Sequence, residues 1–221
     1  MKEFEQFTID PTKCLQEITD LKHLLTADSL AERKTILPFF KKRKHLSAYI
    51  GSFNSNNIRS NLLAHEFTLG GDFVCDLVIG DSISHAFCFV EFENATKDSI
   101  FKKTNRTKSE WSQRLERGFG QLLDWMWKIN EQRTAGSFFD LFGSNEPNCV
   151  TLLIIGRKKY LTKPTEKERF YWRRNNLIIG GKPIICMTYD DLLEALESRM
   201  AFVAAMANNE ANLEQVTTGG H

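Results

Sequence analysis

Three carboxylates lie inside or at the end of two strongly apolar segments of this chain. Asp76 is the one charged residue of FVCDLVI at positions 73–79, and AFCFVEFE at positions 86–93 carries Glu91 and Glu93. Side chains two residues apart share a face of a β-strand, so the two glutamates should point the same way. Three carboxylates brought together repel one another, and a divalent cation would hold them. The spacing therefore predicts a Mg²⁺ (or Mn²⁺) site, with scattered surface or salt-bridged acids as the alternative.

Such a site is suited to the hydrolysis of a phosphodiester. That reaction needs charge neutralised on the phosphate oxygens and a water molecule made nucleophilic, and a divalent cation held by carboxylates does both. Magnesium prefers hard oxygen ligands and takes few of them from protein. Other chemistries lack candidates, because the sequence contains no CxxC, HExxH, P-loop or GxGxxG pattern.

The segments around the three acids alternate between strands and helices. Short apolar runs predict strands at 73–79, 86–93, 148–156 and 182–188. Apolar residues spaced by three and four predict helices at about 11–52, 109–132, 166–175 and 189–205. This order predicts an α/β fold with a central mixed β-sheet flanked by helices. We expect the chain to divide into a short N-terminal helical segment at 1–55, an α/β domain at 56–205 and a polar tail at 206–221.

Three positions carry residue types that are typical of helix starts. Asp10 followed by Pro11 indicates a capping residue and a first helical turn. Ser29 and Glu32 have the spacing of a capping box. Ser109 is expected to cap the helix that ends near residue 132, and the segment 136–147 after that helix indicates a loop.

The overall composition gives no global attraction to nucleic acid. The net charge is only +1, so any contact with a polyanion must come from local basic patches. No apolar run approaches the roughly 20 residues that span a bilayer, and the opening MKEFEQFTIDP has no apolar core of a signal peptide. We therefore expect a cytoplasmic protein without membrane contact. The widely spaced cysteines are expected to be buried free thiols.

Basic residues follow the second acidic segment. The stretch 94–109 is a predicted loop, and its candidates for contact with DNA phosphates are Lys102, Lys103, Arg106 and Lys108. Further candidates lie later in the chain, at Arg157, Lys158, Arg173 and Arg174. An ordinary solvated surface is the alternative interpretation of both groups.

Five short motifs, taken in order, resemble the nuclease domain of Shedu anti-phage defence proteins. They are HEFTLGGDFVCDLVI, FVEFENA, GFGQLLDW, LLIIGRKKYL and ICMTYDDLL, and they span roughly residues 62–200. The resemblance implies a restriction-endonuclease-like fold of the PD-(D/E)xK superfamily within the domain at 56–205. It also implies a Mg²⁺-dependent DNA endonuclease that acts in anti-phage defence, and it suggests a homo-oligomer.

The resemblance also implies roles for single residues. Asp76 would be the metal-binding aspartate and Glu91 the second acid of the site. Gln121 matches the glutamine of the helix that follows the two strands. Glu66 resembles an upstream acid that also reaches the metal.

The chain departs from the superfamily pattern at Glu93, where a lysine is usual. A glutamate here is expected to act as general base or as a further metal ligand. Alternatively, the missing charge comes from a lysine of the following segment, namely Lys97, Lys102 or Lys103. The substitution also leaves open a domain that binds nucleic acid or regulates without cutting, and a scaffold that binds only protein is the third hypothesis.

Overall fold

The computed structural model describes residues 4–102 and 108–218, with side chains described throughout except at positions 183, 204 and 206–218. Its α-helices are α1 (Pro11–Leu24), α2 (Leu37–Lys42), α3 (Lys44–Tyr49), α4 (Gln113–Gln132), α5 (Gly136–Phe142), α6 (Pro164–Asn176) and α7 (Tyr189–Thr218). Its strands are β1 (Glu5–Gln6), β2 (Leu62–Leu69), β3 (Phe73–Asp81), β4 (Ala86–Phe92), β5 (Phe101–Lys102), β6 (Glu110–Trp111), β7 (Asn148–Ile154), β8 (Ile178–Ile179), β9 (Lys182–Pro183) and β10 (Ile185–Met187). A π-helical turn covers Glu32–Ile36, and 3-10 turns cover Ile50–Phe53 and Lys158–Tyr160. None of the helices in these described ranges is long and apolar enough to cross a membrane.

Six of the strands form one mixed sheet in the order β1-β2-β3-β4-β7-β10. The strands β1 to β4 are antiparallel to one another, whereas β7 is parallel to both β4 and β10. Parallel neighbours need long crossover connections, and the segments that contain α4 and α6 provide them. The predicted α/β fold with a central mixed sheet flanked by helices is confirmed, and it is compatible with a restriction-endonuclease-like fold.

Apolar helix faces cover both sides of this sheet. On one side, the N-terminal helices and α7 pack on the sheet through residues such as Phe40 and Val90. On the other side, α4, α5 and α6 pack on it through residues such as Phe89 and Leu122. Strand β4 is therefore buried on both faces, which explains why AFCFVEF shows no apolar–polar alternation. The division of the chain near residue 55 stays a prediction.

The first predicted helix start is confirmed and the second is wrong. The side chain of Asp10 accepts hydrogen bonds from two amides of the first turn of α1. The capping box at Ser29 does not form. The next helical turn begins at Glu32 with Ala31 as its uncapped flanking residue. The amide of Glu32 instead donates to Asn94 Oδ1 at 2.7 Å, a contact across the fold that local spacing does not indicate.

The start of α4 also differs from the sequence prediction. Ser112, not Ser109, is the capping residue, and its hydroxyl accepts from the amide of Leu115 at 3.0 Å. The hydroxyl of Ser109 donates to the carboxylate of Glu166 in α6. From the sequence, both serines are acceptable capping residues. Because the hydroxyl of Ser109 is engaged by Glu166, Ser112 caps the helix instead.

Two segments are more regular than expected. Residues 136–142 form helix α5 instead of a loop, because Phe138 and Phe142 are four residues apart and bury on one helix face. The last helix runs to Thr218, beyond its predicted end near residue 205. All five cysteines are buried and free, as predicted.

Candidate active site

Asp76 lies where the ladder between β3 and β4 ends. The last backbone pair is Leu77 with Val90, and continuing that register by one residue sets Asp76 opposite Glu91. Here the amide of Phe92 donates to Asp76 Oδ2 at 2.9 Å, so a side chain replaces the backbone acceptor of the ladder. The sheet thus brings the first two predicted site residues to the same place.

Glu91 and Glu93 lie on the side of the sheet that faces α4. Phe87 and Phe89 of the same strand pack into the apolar cluster of α4, and alternation continues that face to both glutamates. Gln121 of α4 hydrogen-bonds the Glu91 carboxylate. The prediction that the two glutamates share a face therefore agrees with their contacts to this helix.

Glu91 is a buried carboxyl group with an incomplete set of partners. Its side chain is only 5% exposed. Burial, together with the charges of Asp76 and Glu93, raises its pKa from 4.5 to about 10, against the opposing hydrogen bond from Gln121. Its Oε2 atom is buried and accepts no hydrogen bond from the described residues. Ionisation of this group without a partner is costly, and a bound cation would offset that cost.

The pKa of Asp76 is also raised, but by less than that of Glu91. Burial is the main cause that raises its pKa from 3.8 to about 7, and the amide of Phe92 opposes the shift. The nearby carboxylates of Glu32, Glu93 and Glu66 contribute to the same rise. Burial and the mutual repulsion of these acids therefore favour their protonated forms in the absence of a cation.

Glu93 has a partner that the sequence did not indicate. The Arg114 guanidinium donates from Nη1 to Glu93 Oε2 at 2.8 Å and to Glu32 Oε2 at 3.3 Å. Burial raises the pKa of Glu93, and the hydrogen bond from Arg114 opposes that shift. Glu32 was expected only as part of a capping box. The available signal for Arg114 was its helical spacing, because it precedes Gln121 by two turns and so shares its face of α4.

Glu66 lies at the rim of the cluster. The pairs on either side of it in the β2–β3 ladder set it opposite Asp76. Its carboxylate forms an ion pair with Lys41 of α2 at 2.6 Å and remains half exposed. Its backbone φ is +51°, in the left-handed region that non-glycine residues rarely adopt. The fourth predicted acid is therefore near the site, but it is engaged by a cation from the N-terminal segment.

An open cleft of about 760 Å³ borders this cluster. Its lining includes Glu32, Glu91, Glu93, Arg114, Arg117 and Gln121. A second cavity of about 380 Å³ shares Arg114 and Arg117 with the cleft and includes Lys102. Within residues 4–102 and 108–218, no three His, Cys, Asp or Glu side chains are grouped as ready-made metal ligands.

The predicted basic loop is described only in part. Lys102 lines the smaller cavity, and its ammonium pairs with Glu110 at 2.7 Å. Lys108 is exposed. Lys103 and Arg106 lie outside the described residues. Lys97, one of the lysines considered as a replacement for the missing charge, is also exposed.

The later basic candidates are occupied by ion pairs within the fold. Arg157 is buried and bonds the carboxylate of Asp190 at 2.9 to 3.1 Å. The other three pair with acids of α4 and α7: Lys158 with Asp191 and Glu194, Arg173 with Glu116, and Arg174 with Asp191. Arg157 therefore serves the fold, which argues against a contact with phosphate.

One comparison with known proteins gives a family. Residues 29–193 match the family described as Shedu protein SduA, C-terminal. The matched range covers the acidic cluster and α4, together with Glu32 of the N-terminal segment. No curated protein sequence matches the chain.

Proposed function

This chain belongs to the family described as Shedu protein SduA, C-terminal, which suggests a role in anti-phage defence, and we propose that it is a metal-dependent DNA endonuclease. The reaction would be the hydrolysis of a phosphodiester bond at the cleft beside Asp76 and Glu91. Mg²⁺ or Mn²⁺ would be the metal, in keeping with a site made only of oxygen ligands.

The observation that carries the proposal is the buried Oε2 atom of Glu91. It has no hydrogen-bond partner among the described residues, and Asp76 adds a second carboxylate next to it. A buried anionic oxygen without a partner is costly, and a bound cation removes that cost. Mg²⁺ keeps several waters and takes one or two carboxylates from protein, so Asp76 and Glu91 would be enough to hold it.

Each residue of the cluster then has a distinct part. Asp76 and Glu91 would hold the cation, which when bound supplies charge neutralisation and a more acidic water. Gln121 fixes the orientation of the Glu91 carboxyl group through its hydrogen bond. Glu66 would reach the cation only by exchanging its ion pair with Lys41. Glu93 is engaged by Arg114, so we assign it no place among the ligands.

The proposal is tested by cleavage of plasmid DNA. Wild-type protein with Mg²⁺ or Mn²⁺ is expected to nick or cut the plasmid, whereas Asp76→Ala and Glu91→Ala should lose activity. The exposed Asp140 of α5 offers a matched control, and Asp140→Ala should cut like wild type. Equal cutting by all of these proteins would contradict the proposal.

A second candidate is a domain that binds DNA without cutting it. The glutamate at position 93, where a lysine is usual, favours this alternative. It predicts DNA affinity that falls steeply with salt, and no cleavage with either metal. The proposed homo-oligomer is a separate question, which light scattering of the purified protein answers.

A further inference from the structure

Four carboxyl groups lie close together beside the cleft, whose lining also includes basic side chains. The carboxyl groups of Asp76, Glu91, Glu93 and Glu32 influence one another there. Among the described residues, the guanidinium that closely pairs with Glu93 is that of Arg114, at 2.8 Å. A strand lysine at position 93 would have supplied one positive charge to this group. The chain has a glutamate there, directly after β4, and a helix arginine brings the positive charge instead.

Arg114 combines a fixed position with access to solvent. Its partner Glu93 is only 2% exposed, whereas the Arg114 side chain is 40% exposed. Both hydrogen bonds to the acids use Nη1, and a guanidinium has five N–H donors in a planar fork. The N–H groups that do not contact the two acids have the geometry that binds a phosphate through two parallel hydrogen bonds.

The location of Arg114 on α4 relates it to the rest of the site. It lies seven residues before Gln121, which bonds Glu91, and two helical turns separate such residues by roughly 10 Å. Arg114 also borders both the main cleft and the smaller cavity. A DNA strand that extends from one cavity to the other would therefore carry a phosphate past this side chain.

We infer that Arg114 is the phosphate-binding cation of the site and that Glu93 is the positioning residue that holds its guanidinium. This inference rests on the proposed nuclease function and assigns its missing positive charge. Glu32 is the second carboxylate that restrains Arg114, and it ties the arginine to the N-terminal segment. The usual strand lysine is thus replaced by an ion pair between strand and helix.

Binding of a short DNA duplex in Ca²⁺, together with cleavage in Mg²⁺, tests the inference. Arg114→Gln should cut about 100-fold more slowly, a typical loss for one donor to developing charge. In a plot of log affinity against log salt concentration, the slope should become less steep by about 1, because one phosphate contact is lost. Arg114→Lys should keep that slope. The exposed Arg59, near the opposite end of β3, gives the control Arg59→Gln with the same change of charge and wild-type behaviour.

Rescue by a lysine separates a role in phosphate binding from a structural role. Arg114→Gln alone leaves the buried Glu93 carboxylate without its cation, so this variant is at risk of unfolding. Glu93→Gln/Arg114→Gln removes both charges and is expected to melt like wild type but to cut about 100-fold more slowly, like Arg114→Gln. Glu93→Lys/Arg114→Gln restores a strand lysine and should cut within about tenfold of wild type. Wild-type activity in the Glu93→Gln/Arg114→Gln variant would overturn the inference.

The same experiment distinguishes failure of the Arg114 inference from failure of the nuclease proposal. If wild type cuts and the Arg114→Gln variant matches it in rate and salt slope, the inference fails while the nuclease proposal stands. If wild type neither binds nor cuts DNA, both are overturned.

Discussion

At the scale of single residues, the acidic pair carries an energetic penalty that surface acids avoid. Ionising Glu91 in the fold is unfavourable because the group is buried and near Asp76. Its pKa is therefore higher in the folded protein than in the unfolded chain. The folded state then binds more protons than the unfolded state between about pH 4.5 and about pH 10, so this group lowers stability as pH rises through that window.

Glu91→Gln should accordingly stabilise the metal-free protein at high pH. With EDTA present, we expect the variant and wild type to melt alike near pH 4 and the variant to melt higher at pH 8. A gain of about 1 kcal/mol corresponds to about 2–4 °C in a chain of this size. Thermal melts across this pH range measure the difference, and Asp140→Asn is the exposed control. A constant difference at all pH values would contradict the assignment of the penalty to ionisation.

The residue types in the two apolar strands were enough to single out Asp76, Glu91 and Glu93. A lone charge inside an apolar strand is unusual, and alternation sets the two glutamates on one face. Arg114 and Glu32 could not be found in this way. They contact Glu93 from distant positions in the chain, and that contact depends on how α4 and the N-terminal segment pack.

At the scale of elements, the end of β4 is fixed by contacts from both sides. The hydroxyl of Tyr189, at the start of α7, donates to the backbone oxygen of Glu93 at 2.8 Å. The amide of Glu93 donates to Ile154 O of β7 at 2.9 Å. The backbone at the site is therefore held by a strand and a helix, and rigid support of this kind favours precise placement of catalytic groups.

A buried arginine makes a comparable junction between elements. Arg157 bonds the Asp190 carboxylate of α7 and the backbone oxygens of Leu25 and Ala27, which follow α1. Arg157→Met should lower the free energy of unfolding by about 3–5 kcal/mol, because it leaves these buried acceptors without a donor. Urea denaturation measures the loss. The neighbouring Lys159, whose ion pair is with an exposed aspartate, gives the control Lys159→Met with little expected change.

Element types were more predictable than their ends. Apolar runs identified β3, β4 and β7, since their composition suits a buried sheet. The start of α4 was misplaced because Ser109 and Ser112 are both acceptable caps, and the contact between Ser109 and Glu166 selects between them. Long-range hydrogen bonds of this kind leave no local pattern in the sequence.

At the scale of the whole molecule, the N-terminal segment is part of the site's construction. It covers one face of the sheet and contributes Glu32 to the acidic cleft. It also contributes Lys41, which pairs with Glu66 at the rim. A sequence pattern predicted its helices, but its contacts with the cleft follow only from how the helices pack on the sheet.

Titration calorimetry of Mn²⁺ binding at pH 7.5 is the most direct test of a metal site at Asp76 and Glu91. Wild type is expected to bind about one ion per chain and to release protons, because the raised pKa values of Asp76 and Glu91 keep the site partly protonated before binding. Asp76→Asn and Glu91→Gln should lose this binding, while Asp140→Asn should retain it. Absence of binding to wild type, or equal binding to all variants, would contradict a metal site at this carboxylate pair.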